Sequence, residues 1–261
     1  MENTAHLSTE PAPLTATLAK GLEVLEALAE VEEIGLSAMA RQLGVSGPTL
    51  FRLLTTLAAC GYVEKSAAGR YRLTLKTWEL GAKAVRRIRL RDVARPFMDQ
   101  LAAETQEAVH LSVLQGDGIV IIDKRDSPHP VRVDTFVGQR APLHCSATGK
   151  AILAFAPPEI AAALPRTLAR HTEATIVDRA ALDRELDAVR RAGWACNREE
   201  WRPGVCAAAV PVQHASGAVI AALSVTVPTP RFSDEALRAR LLPALQRIGA
   251  VLIEELARVR G

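Results

Sequence analysis

The chain is poor in aromatic residues, and it has no long apolar run. Aromatic residues are 4% of the 261 residues, whereas apolar residues together are 49%. This composition is enough to bury full cores in two or three domains. No stretch approaches the roughly 20 uninterrupted apolar residues that cross a membrane, and the N-terminus lacks the basic start and apolar run of a signal peptide. We therefore expect a cytoplasmic protein without a membrane partner.

Cysteines are few, and they are far apart. The four are Cys60, Cys145, Cys196 and Cys206, and they include no C-x-x-C pair. This pattern fits reduced, buried or half-buried thiols better than disulfides or a zinc site, so we expect no structural metal. The phosphate-binding motifs G-x-G-x-x-G and G-x-x-x-x-G-K-[ST] are missing too. The sequence therefore predicts no cofactor.

Residues 34–73 contain the pattern of a winged helix-turn-helix. Ser37 is a suitable N-cap for a short helix that runs to about Leu43, and Gly44 supplies a left-handed exit. After a tight turn, Ser46 caps a second helix, where Pro48 is tolerated because N–H groups in the first turn have no intrahelical partner. This order of elements makes DNA binding the leading hypothesis.

The second helix has an apolar face and an outward face. Its leucines recur at the helical spacing of a core-facing stripe, at Leu50, Leu53, Leu54 and Leu57. A hairpin around a turn at residues 66–69 follows, with Tyr71 inward and two arginines outward, and forms the wing. The residues predicted to meet double-stranded DNA are Ser46, Thr49, Phe51, Arg52, Thr55, Arg70 and Arg72.

Charge distribution supports this hypothesis better than the net charge does. Residues 41–95 carry twelve Lys or Arg and three acidic residues, a net charge of +9, whereas the rest of the chain carries −6. A basic segment on a mildly acidic body is typical of proteins that contact phosphates. The alternative is a small helical domain whose outward residues are only a solvated face. The basic run at residues 86–91 lies beyond the wing and is left out of the predicted interface.

The chain is expected to consist of four segments. They are a disordered arm (1–14), a winged helix-turn-helix domain (15–74), a connector helix (75–91) and an effector-binding domain (92–261). A first helix that buttresses the helix-turn-helix is indicated by Leu18, Leu22, Leu25 and Leu28. Along the connector, Leu80, Ala84 and Ile88 recur every four residues, and a monomer would leave this stripe partly exposed. We therefore expect at least a homodimer, while Pro96 either kinks the connector or starts a new helix.

The C-terminal segment alternates strands and helices. Strands are predicted at 109–114, 119–123, 131–137, 194–197, 205–212 and 218–227. Helices are predicted at 147–156, at 179–192 and from the cap Ser233 to about residue 259. Antiparallel strands with helices on the outside make an α+β domain.

Five stretches make the chain resemble the IclR-type bacterial transcriptional regulators over nearly its whole length. They are G-V-S-G-P-T-L-F-R-L-L (44–54), P-L-H-C-S-A-T-G-K-A-I-L-A (142–154), G-W-A-C-N-R-E-E (193–200), P-G-V-C-A-A-A-V-P-V (203–212) and A-A-L-S-V-T (221–226). The resemblance implies a C-terminal effector domain of GAF-like fold. It also implies a dimer of dimers, so a homotetramer, and control of a nearby operon by a small metabolite.

The resemblance also implies where an effector binds. The family's ligand-contact positions fall on Ala147, Thr148, Asn197, Ala207, Ser224 and Thr226. Three departures from the family pattern are present. Asn197 stands where an acid is frequent, Ala207 where a cysteine is frequent, and Gly47 where the recognition helix often has a lysine. The effector therefore cannot be copied from a relative.

The implied pocket favours an anion. Residues 147–149 would open a helix, whose free N–H groups and positive dipole end favour a small carboxylate. Ser224 and Thr226 are two residues apart, so both hydroxyls would face one ligand. Ordinary tight packing between helix and sheet explains the small residues equally well on spacing alone. Trp194, Trp201 and Arg202 are interpreted either as exposed loop residues or as the frame of an aromatic acid.

An enzyme is the main alternative function. His144 and Cys145, beside Ser146 and Lys150, suggest a thiol nucleophile with a base, as in a thiol-dependent hydrolase. Adjacent side chains on a strand point to opposite faces, so we expect His144 not to activate Cys145, and we expect no catalysis. A ligand-binding module that does not act on DNA is the other alternative, and it leaves the +9 segment unexplained.

Overall fold

The computed structural model describes residues 15–86, 89–214 and 216–259, which fall into two compact units with the division between Arg87 and Ile88. The predicted disordered arm at residues 1–14 and the stripe residue Ile88 lie outside the described residues. No helix in the described ranges combines the length and the hydropathy that a membrane crossing requires.

The first unit is a small helical domain with a two-stranded wing. Its elements are α1 (Ala16–Ala29), α2 (Leu36–Leu43), α3 (Gly47–Ala59), β1 (Val63–Lys65), β2 (Tyr71–Leu73) and α4 (Lys76–Arg86). One apolar core joins α1, α2 and α3 to the wing and consists of Val24, Leu28, Met39, Leu50, Leu53, Leu54, Val63 and Tyr71. β1 and β2 are antiparallel, with Glu64 opposite Arg72. The predicted winged helix-turn-helix is confirmed.

Two predictions about the first unit are wrong in detail. α2 begins at Leu36 after Gly35, so Ser37 lies inside the first turn and caps nothing. The reason is that Ile34 pairs with Tyr71 of the wing through two backbone hydrogen bonds of 2.8 and 2.9 Å, which leaves Gly35 as the last residue before the helix. Gly44 does end α2 in the left-handed conformation, with φ of 61°.

The buried face of α1 also differs from the predicted leucine stripe. Leu18 and Leu22 are 64% and 53% exposed, whereas Gly21, Val24 and Leu28 are buried. The helix turns its smallest residue toward α3, because a Cβ on Gly21 would lie 4.0 Å from Leu53. Two leucines are therefore left on the surface of the chain.

The second unit is built on a six-stranded antiparallel sheet. Its strands are β3 (Ala108–Gln115), β4 (Gly118–Arg125), β5 (Arg140–Pro142), β6 (Ala195–Arg198), β7 (Val205–Gln213) and β8 (Val219–Pro228). They lie in the order β5-β4-β3-β8-β7-β6. The helices are α5 (Arg89–Thr105), α6 (Ala147–Phe155), α7 (Pro158–Ala162), α8 (Arg179–Ala192), α9 (Asp234–Ala236) and α10 (Leu242–Val259), with a 3₁₀ turn at Thr229–Arg231 and a π-helical segment at Leu237–Leu241.

Two apolar cores lie on opposite faces of this sheet. One includes residues of α5 and α10, and the other includes residues of α6 and α8. Three helices of this unit have side-chain caps: Ser146, Asp178 and Ser233 each accept a hydrogen bond from the first turn of the helix that follows, and the cap at Ser233 was predicted. The α+β class, with helices covering an antiparallel sheet, is confirmed.

The predicted strand at 131–137 is not a strand. β4 pairs instead with β5, and the backbone of Ile121 is already bonded to Gly138 and Gln139 at 2.7 and 3.0 Å. Residues 131–137 therefore form no strand and lie outside the sheet. The alternation survives, with Thr135 buried and Phe136 64% exposed.

Helix α5 extends through the predicted end of the connector. It runs from Arg89 to Thr105 with Pro96 inside, so the expected boundary at 91/92 falls within a helix. Proline removes one hydrogen bond there, but the buried stripe of Leu90, Ala94, Met98 and Leu101 holds the helix against the sheet. Packing decides the helix boundary here, and local propensity does not.

Candidate functional sites

Helix α3 starts from a well-defined cap. The Ser46 hydroxyl accepts a hydrogen bond from the Thr49 N–H at 3.3 Å and lies 2.8 Å from the Thr49 hydroxyl. Pro48 lies in the first turn, where it costs no hydrogen bond. Both hydroxyls are exposed but already partnered, so a DNA phosphate would share them with the cap.

The remaining predicted contacts of α3 lie on its exposed face. Thr49, Phe51, Arg52 and Thr55 are all exposed, and Phe51 is 52% exposed. The Thr55 hydroxyl donates to the Phe51 carbonyl at 2.8 Å and is therefore occupied by its own helix. Within the described ranges no ion pair engages the Arg52 guanidinium, which leaves its five donors available.

Both wing arginines are exposed and paired within the chain. Arg70 lies 3.4 Å from a Glu33 carboxylate oxygen, and Arg72 lies 2.7 Å from a Glu64 oxygen. All four side chains are solvated, and such pairs contribute between about 0 and 1 kcal/mol. The arginines can therefore turn from these carboxylates to phosphates at little cost.

In the second unit, a cavity forms between the sheet and the N-terminus of α6. It encloses about 510 Å³ including its mouth. All six positions implied by the resemblance line it, namely Ala147, Thr148, Asn197, Ala207, Ser224 and Thr226. They come from α6 and from three strands, so the fold brings together residues up to 79 positions apart in the chain, from Ala147 to Thr226.

The start of α6 forms one end of this cavity. The Ser146 hydroxyl accepts from the Gly149 N–H at 3.1 Å and donates to the Pro142 carbonyl at 2.6 Å. The N–H groups of Ala147 and Thr148 precede that capped position and belong to the first turn, whose donors have no intrahelical partner. Gly149 is required, because a Cβ there would lie 2.4 Å from the Leu143 carbonyl oxygen. A helix dipole and free N–H groups therefore face a concave site.

The sheet supplies the polar floor. Ser224 and Thr226 are buried on β8, and Thr226 lies opposite Ala207 of β7, which lies opposite Asn197 of β6. The Asn197 side-chain oxygen accepts from the Glu200 N–H at 2.7 Å. This bond fixes the amide, so its NH₂ group is the part left to serve as a donor.

Sequence reasoning missed two polar residues of β3. His110 lies opposite Ser224, and its ring nitrogens are 3.0 Å from the Thr226 hydroxyl and 2.8 Å from the Thr135 hydroxyl. Burial, with a smaller contribution from Lys124, lowers the pKa of His110 to about 4. The imidazole is therefore neutral at physiological pH and donates one hydrogen bond.

Ser112 is the other missed residue. It is 1% exposed and lines the cavity, and its hydroxyl has no hydrogen-bond partner within the described part of the chain. An unpartnered buried hydroxyl costs about 1–3 kcal/mol, so it is a candidate contact for a guest. The available sequence signal was that His110 and Ser112, two positions apart and so on one face, are polar within a buried and otherwise apolar part of β3.

A buried ion pair supports the wall of the cavity. The Lys150 ammonium is 1% exposed and lies 2.7 and 2.9 Å from the Glu200 carboxylate oxygens and 3.0 Å from Glu185. Burial raises the pKa of Glu200, and the charge of Lys150 opposes that rise. The pair ties α6 to the stretch that carries Asn197, Trp201 and Arg202.

The tryptophans divide between two places. Trp201 and Arg202 line the cavity, with the guanidinium carbon 4.4 Å from the centre of the Trp201 ring. Trp194 packs against the core on the other face of the sheet. Only two of the three predicted framing residues are therefore near the candidate effector site.

The geometry at Cys145 differs from the sequence argument. Residues 143–145 form a turn, so His144 and Cys145 do not alternate as they would on a strand, and their ligand atoms lie within 4.8 Å. Burial raises the pKa of the Cys145 thiol to about 12, with Glu200 adding to the shift. The thiol is protonated at neutral pH, and the thiolate needed for nucleophilic attack is scarce.

Two family profiles match this chain. The profile described as "IclR helix-turn-helix domain" matches residues 17–67, and the one described as "Bacterial transcriptional regulator IclR C-terminal" matches residues 82–252. The HTH-type transcriptional regulator KdgR of Escherichia coli K12 is 37% identical over 252 residues, which cover 94% of this chain and 95% of that protein.

Solved structures give the same result. An IclR transcriptional regulator from Alicyclobacillus acidocaldarius is 27% identical with a TM-score of 0.77, covering 94% of this chain and 100% of that one. An IclR homologue from Microbacterium hydrocarbonoxydans, solved with 4-hydroxybenzoate, is 27% identical with a TM-score of 0.76. That comparison covers 92% of this chain and 98% of the other.

Proposed function

We propose, from the premise that this chain belongs to the IclR family of bacterial DNA-binding transcriptional regulators, that a small organic acid bound in the second unit controls its binding to an operator. The observation that carries the proposal is the cavity where the α6 N-terminus meets a buried, hydroxyl-rich floor. An operator on the chromosome places the site of action in the cytoplasm.

The anion is assigned to the α6 end. The N–H groups of Ala147 and Thr148 and the helix dipole attract a carboxylate. The other polar atoms of the guest meet Ser112, Ser224 and the Asn197 amide on the floor. The Microbacterium relative was solved with 4-hydroxybenzoate, which is a small carboxylate, and this agrees with the class of ligand.

For DNA, the exposed face of α3 and the wing supply the contacts. Arg52 is the leading candidate for a base or phosphate contact because its guanidinium is exposed and free of ion pairs in the described ranges. Arg70 and Arg72 of the wing are assigned to phosphates. Ser46, Thr49, Phe51 and Thr55 are assigned to the same interface.

The active form is assigned to a homodimer or homotetramer. On α1, Leu18 and Leu22 are exposed, and on α4, Trp78 and Leu80 are 67% and 59% exposed. Side chains of this size on two helices of one small unit favour a second copy as their partner. A dimer would present two winged helices to the half-sites of a pseudo-palindrome, and an effector would shift its population between states by no more than its differential affinity.

Catalysis is not part of the proposal. Cys145 lies beside His144 and His171, but burial raises the pKa of its thiol to about 12, and the N–H groups at the start of α6 are assigned to the effector carboxylate. A substrate-dependent activity that disappears in Cys145→Ala would contradict this view.

A thermal-shift screen of small organic acids, followed by footprinting upstream of the gene with each hit, tests the whole proposal. For a hit, Ser224→Ala and Ser112→Ala should each weaken binding by about 1–3 kcal/mol in calorimetry. Asn197→Asp should weaken an anion more than a neutral analogue, because the second carboxylate oxygen would replace a donor. Wild-type affinity should vary little between about pH 6 and 8, where neither the ligand carboxylate nor an amide titrates.

The proposal fails if a validated acid binds all three variants as tightly as wild type. Light scattering that shows a monomer at micromolar concentration would contradict only the proposed homodimer or homotetramer.

A further inference from the structure

A second cluster of chemically active side chains lies outside the candidate effector cavity. His144, Cys145 and His171 each offer one ligand atom, and these three atoms lie within 4.8 Å of one another. The two imidazole rings are tilted by 34°, with centroids 5.8 Å apart. His171 is 26 residues from Cys145 in the chain, so no sequence spacing shows this group.

We propose that His144, Cys145 and His171 form a zinc-binding site with one open coordination position. The site is additional to the effector cavity, and it does not depend on the function proposed above. The wide spacing of the cysteines predicts no structural zinc site. The fold, however, brings the ligand atoms of Cys145 and two histidines within 4.8 Å of one another.

The ligand types suit zinc. Two imidazole nitrogens and one thiolate are borderline ligands that zinc accepts in tetrahedral geometry. Bonds of ~2.0–2.1 Å to nitrogen and ~2.3 Å to sulfur place two nitrogens and one sulfur of a tetrahedron roughly 3.3–3.6 Å apart. The widest separation present must therefore close by about 1 Å. His171 is exposed, so its side chain is free to make that adjustment.

One histidine has a ring nitrogen that its hydrogen bond leaves free for a metal. The His144 Nε2 lies 2.9 Å from the Ala169 carbonyl oxygen. A carbonyl oxygen can accept a hydrogen bond but cannot donate one, so Nε2 carries the proton. The Nδ1 lone pair is then available to a metal. A ligating histidine that donates its other N–H to a backbone carbonyl is the usual second interaction around a zinc ion.

Protonation chemistry makes the site conditional on the metal. Cys145 is a buried neutral thiol, and zinc binds the thiolate, so binding breaks the S–H bond, forms a Zn–S bond and releases one proton to solvent. The neighbouring His144 donates Nε2–H to the Ala169 carbonyl, so its ligation through the other ring nitrogen releases no proton. One proton per zinc is the expected stoichiometry.

The site has access to solvent. His144 and His171 line an open cavity of about 950 Å³ including its mouth, together with Arg140 and Trp201. An ion can enter from this cavity, and water can occupy the fourth position of the tetrahedron. Three protein ligands with one open position are typical of zinc sites that exchange a ligand.

Zinc would join two segments that frame the effector cavity. His171 is followed in the chain by Thr172 and Thr175. The Thr172 hydroxyl donates to the Glu199 carbonyl at 2.7 Å, and the Thr175 hydroxyl donates to the Glu200 carbonyl at 2.6 Å. His144 and Cys145 directly precede the N-cap of α6. A bound ion would therefore tie the Glu199–Glu200 stretch to the start of α6.

The test uses the full chain after dialysis against a chelator. Zinc is titrated against a chromophoric indicator, cobalt(II) is added separately as a spectroscopic probe, and the heat of zinc binding is measured in two buffers of different ionisation enthalpy. We expect one zinc per chain, one proton released, a thiolate-to-cobalt charge-transfer band, and a melting temperature that rises with zinc concentration.

Matched variants locate the ion. His171→Ala removes an exposed ligand without disturbing a core and should weaken zinc binding at least tenfold, while His214→Ala, the same change outside the cluster, should not. Cys145→Ser should abolish the cobalt band, while Cys60→Ala should keep it. Equal zinc affinity in wild type and His171→Ala, or a cobalt band that survives Cys145→Ser, overturns the proposal. If Cys145→Ser does not fold, His171→Ala still decides.

Discussion

The two compact units place their polar functional groups in opposite environments. In the first, the candidate DNA contacts are solvated side chains on one helix and one hairpin, and Lys or Arg (ten) nearly balance Asp or Glu (nine) in residues 1–87. In the second, the candidate effector contacts are buried hydroxyls, an imidazole and an amide on the strands that form the floor of the cavity. Substitutions of the candidate DNA contacts should therefore change DNA binding and leave the free energy of unfolding nearly unchanged. Substitutions of the candidate effector contacts should change effector binding and stability together.

The ion pairs make the sharpest form of this comparison. Glu200→Ala leaves the buried Lys150 with only the half-exposed Glu185, and losing one partner of a buried pair costs about 3–5 kcal/mol. Glu64→Ala breaks the solvated pair with Arg72 and should cost less than about 1 kcal/mol. Chemical denaturation of both variants measures the difference, and equal costs would break the comparison.

His110 should make the stability of the second unit depend on pH. Its folded-state pKa of about 4 lies below the unfolded value of 6.5, so the unfolded chain binds the proton first as the pH falls. The stabilisation is complete above about pH 6.5 and is lost toward pH 4, with a magnitude of about 3 kcal/mol. Unfolding of wild type and His110→Gln across this range should give a flatter curve for the variant, and His214→Gln should resemble wild type.

Arg52→Ala should weaken operator binding by about 1–3 kcal/mol and leave the free energy of unfolding unchanged. The side chain is exposed, so no packing is lost with it. Binding titrations beside thermal unfolding separate the two effects. A large loss of stability would contradict the expectation that the solvated contacts of the first unit affect DNA binding alone.

Arg70→Ala should have the smallest effect. Losing one phosphate contact lowers the slope of log affinity against log salt by about 0.9 and weakens binding alike on specific and unrelated DNA. Glu33→Ala is the matched control, because it removes the partner of Arg70 and keeps the guanidinium. An unchanged salt slope in Arg70→Ala would exclude this residue from the interface.

The sequence predicted the first unit well because its determinants are local. The cap at Ser46, the exit at Gly44 and the leucines of α3 lie within a few residues of the structure they specify. The face of α1 was wrong because it depends on how closely Gly21 approaches Leu53, and helical periodicity does not encode that contact.

The second unit shows where local reasoning ends. Most of the helices and strands followed from periodicity, but the short elements β5 and α7 were not predicted, 131–137 is not a strand, and the six cavity positions came from resemblance. His110 was missed because its partners, Thr135 and Thr226, are 25 and 116 residues away. The turn at His144 and Cys145 was misjudged because strand alternation was assumed where β5 ends at Pro142.

The segment at residues 131–137, which lies outside the sheet, has a kinetic consequence. Its Val133 and Thr135 line the effector cavity, and three bonds tie it to distant parts of the unit: His110 to the Thr135 hydroxyl, Lys124 to the Thr135 carbonyl at 2.6 Å, and Arg231 to the Val131 carbonyl at 2.9 Å. Phe136 also bonds locally with Gln139. No strand ladder adds to these anchors within the described residues. If a guest passes beneath this segment, the lifetime of the anchors limits how fast it enters and leaves. The residence time of the guest would then depend on the hydrogen bonds that anchor this segment as well as on the guest's own contacts.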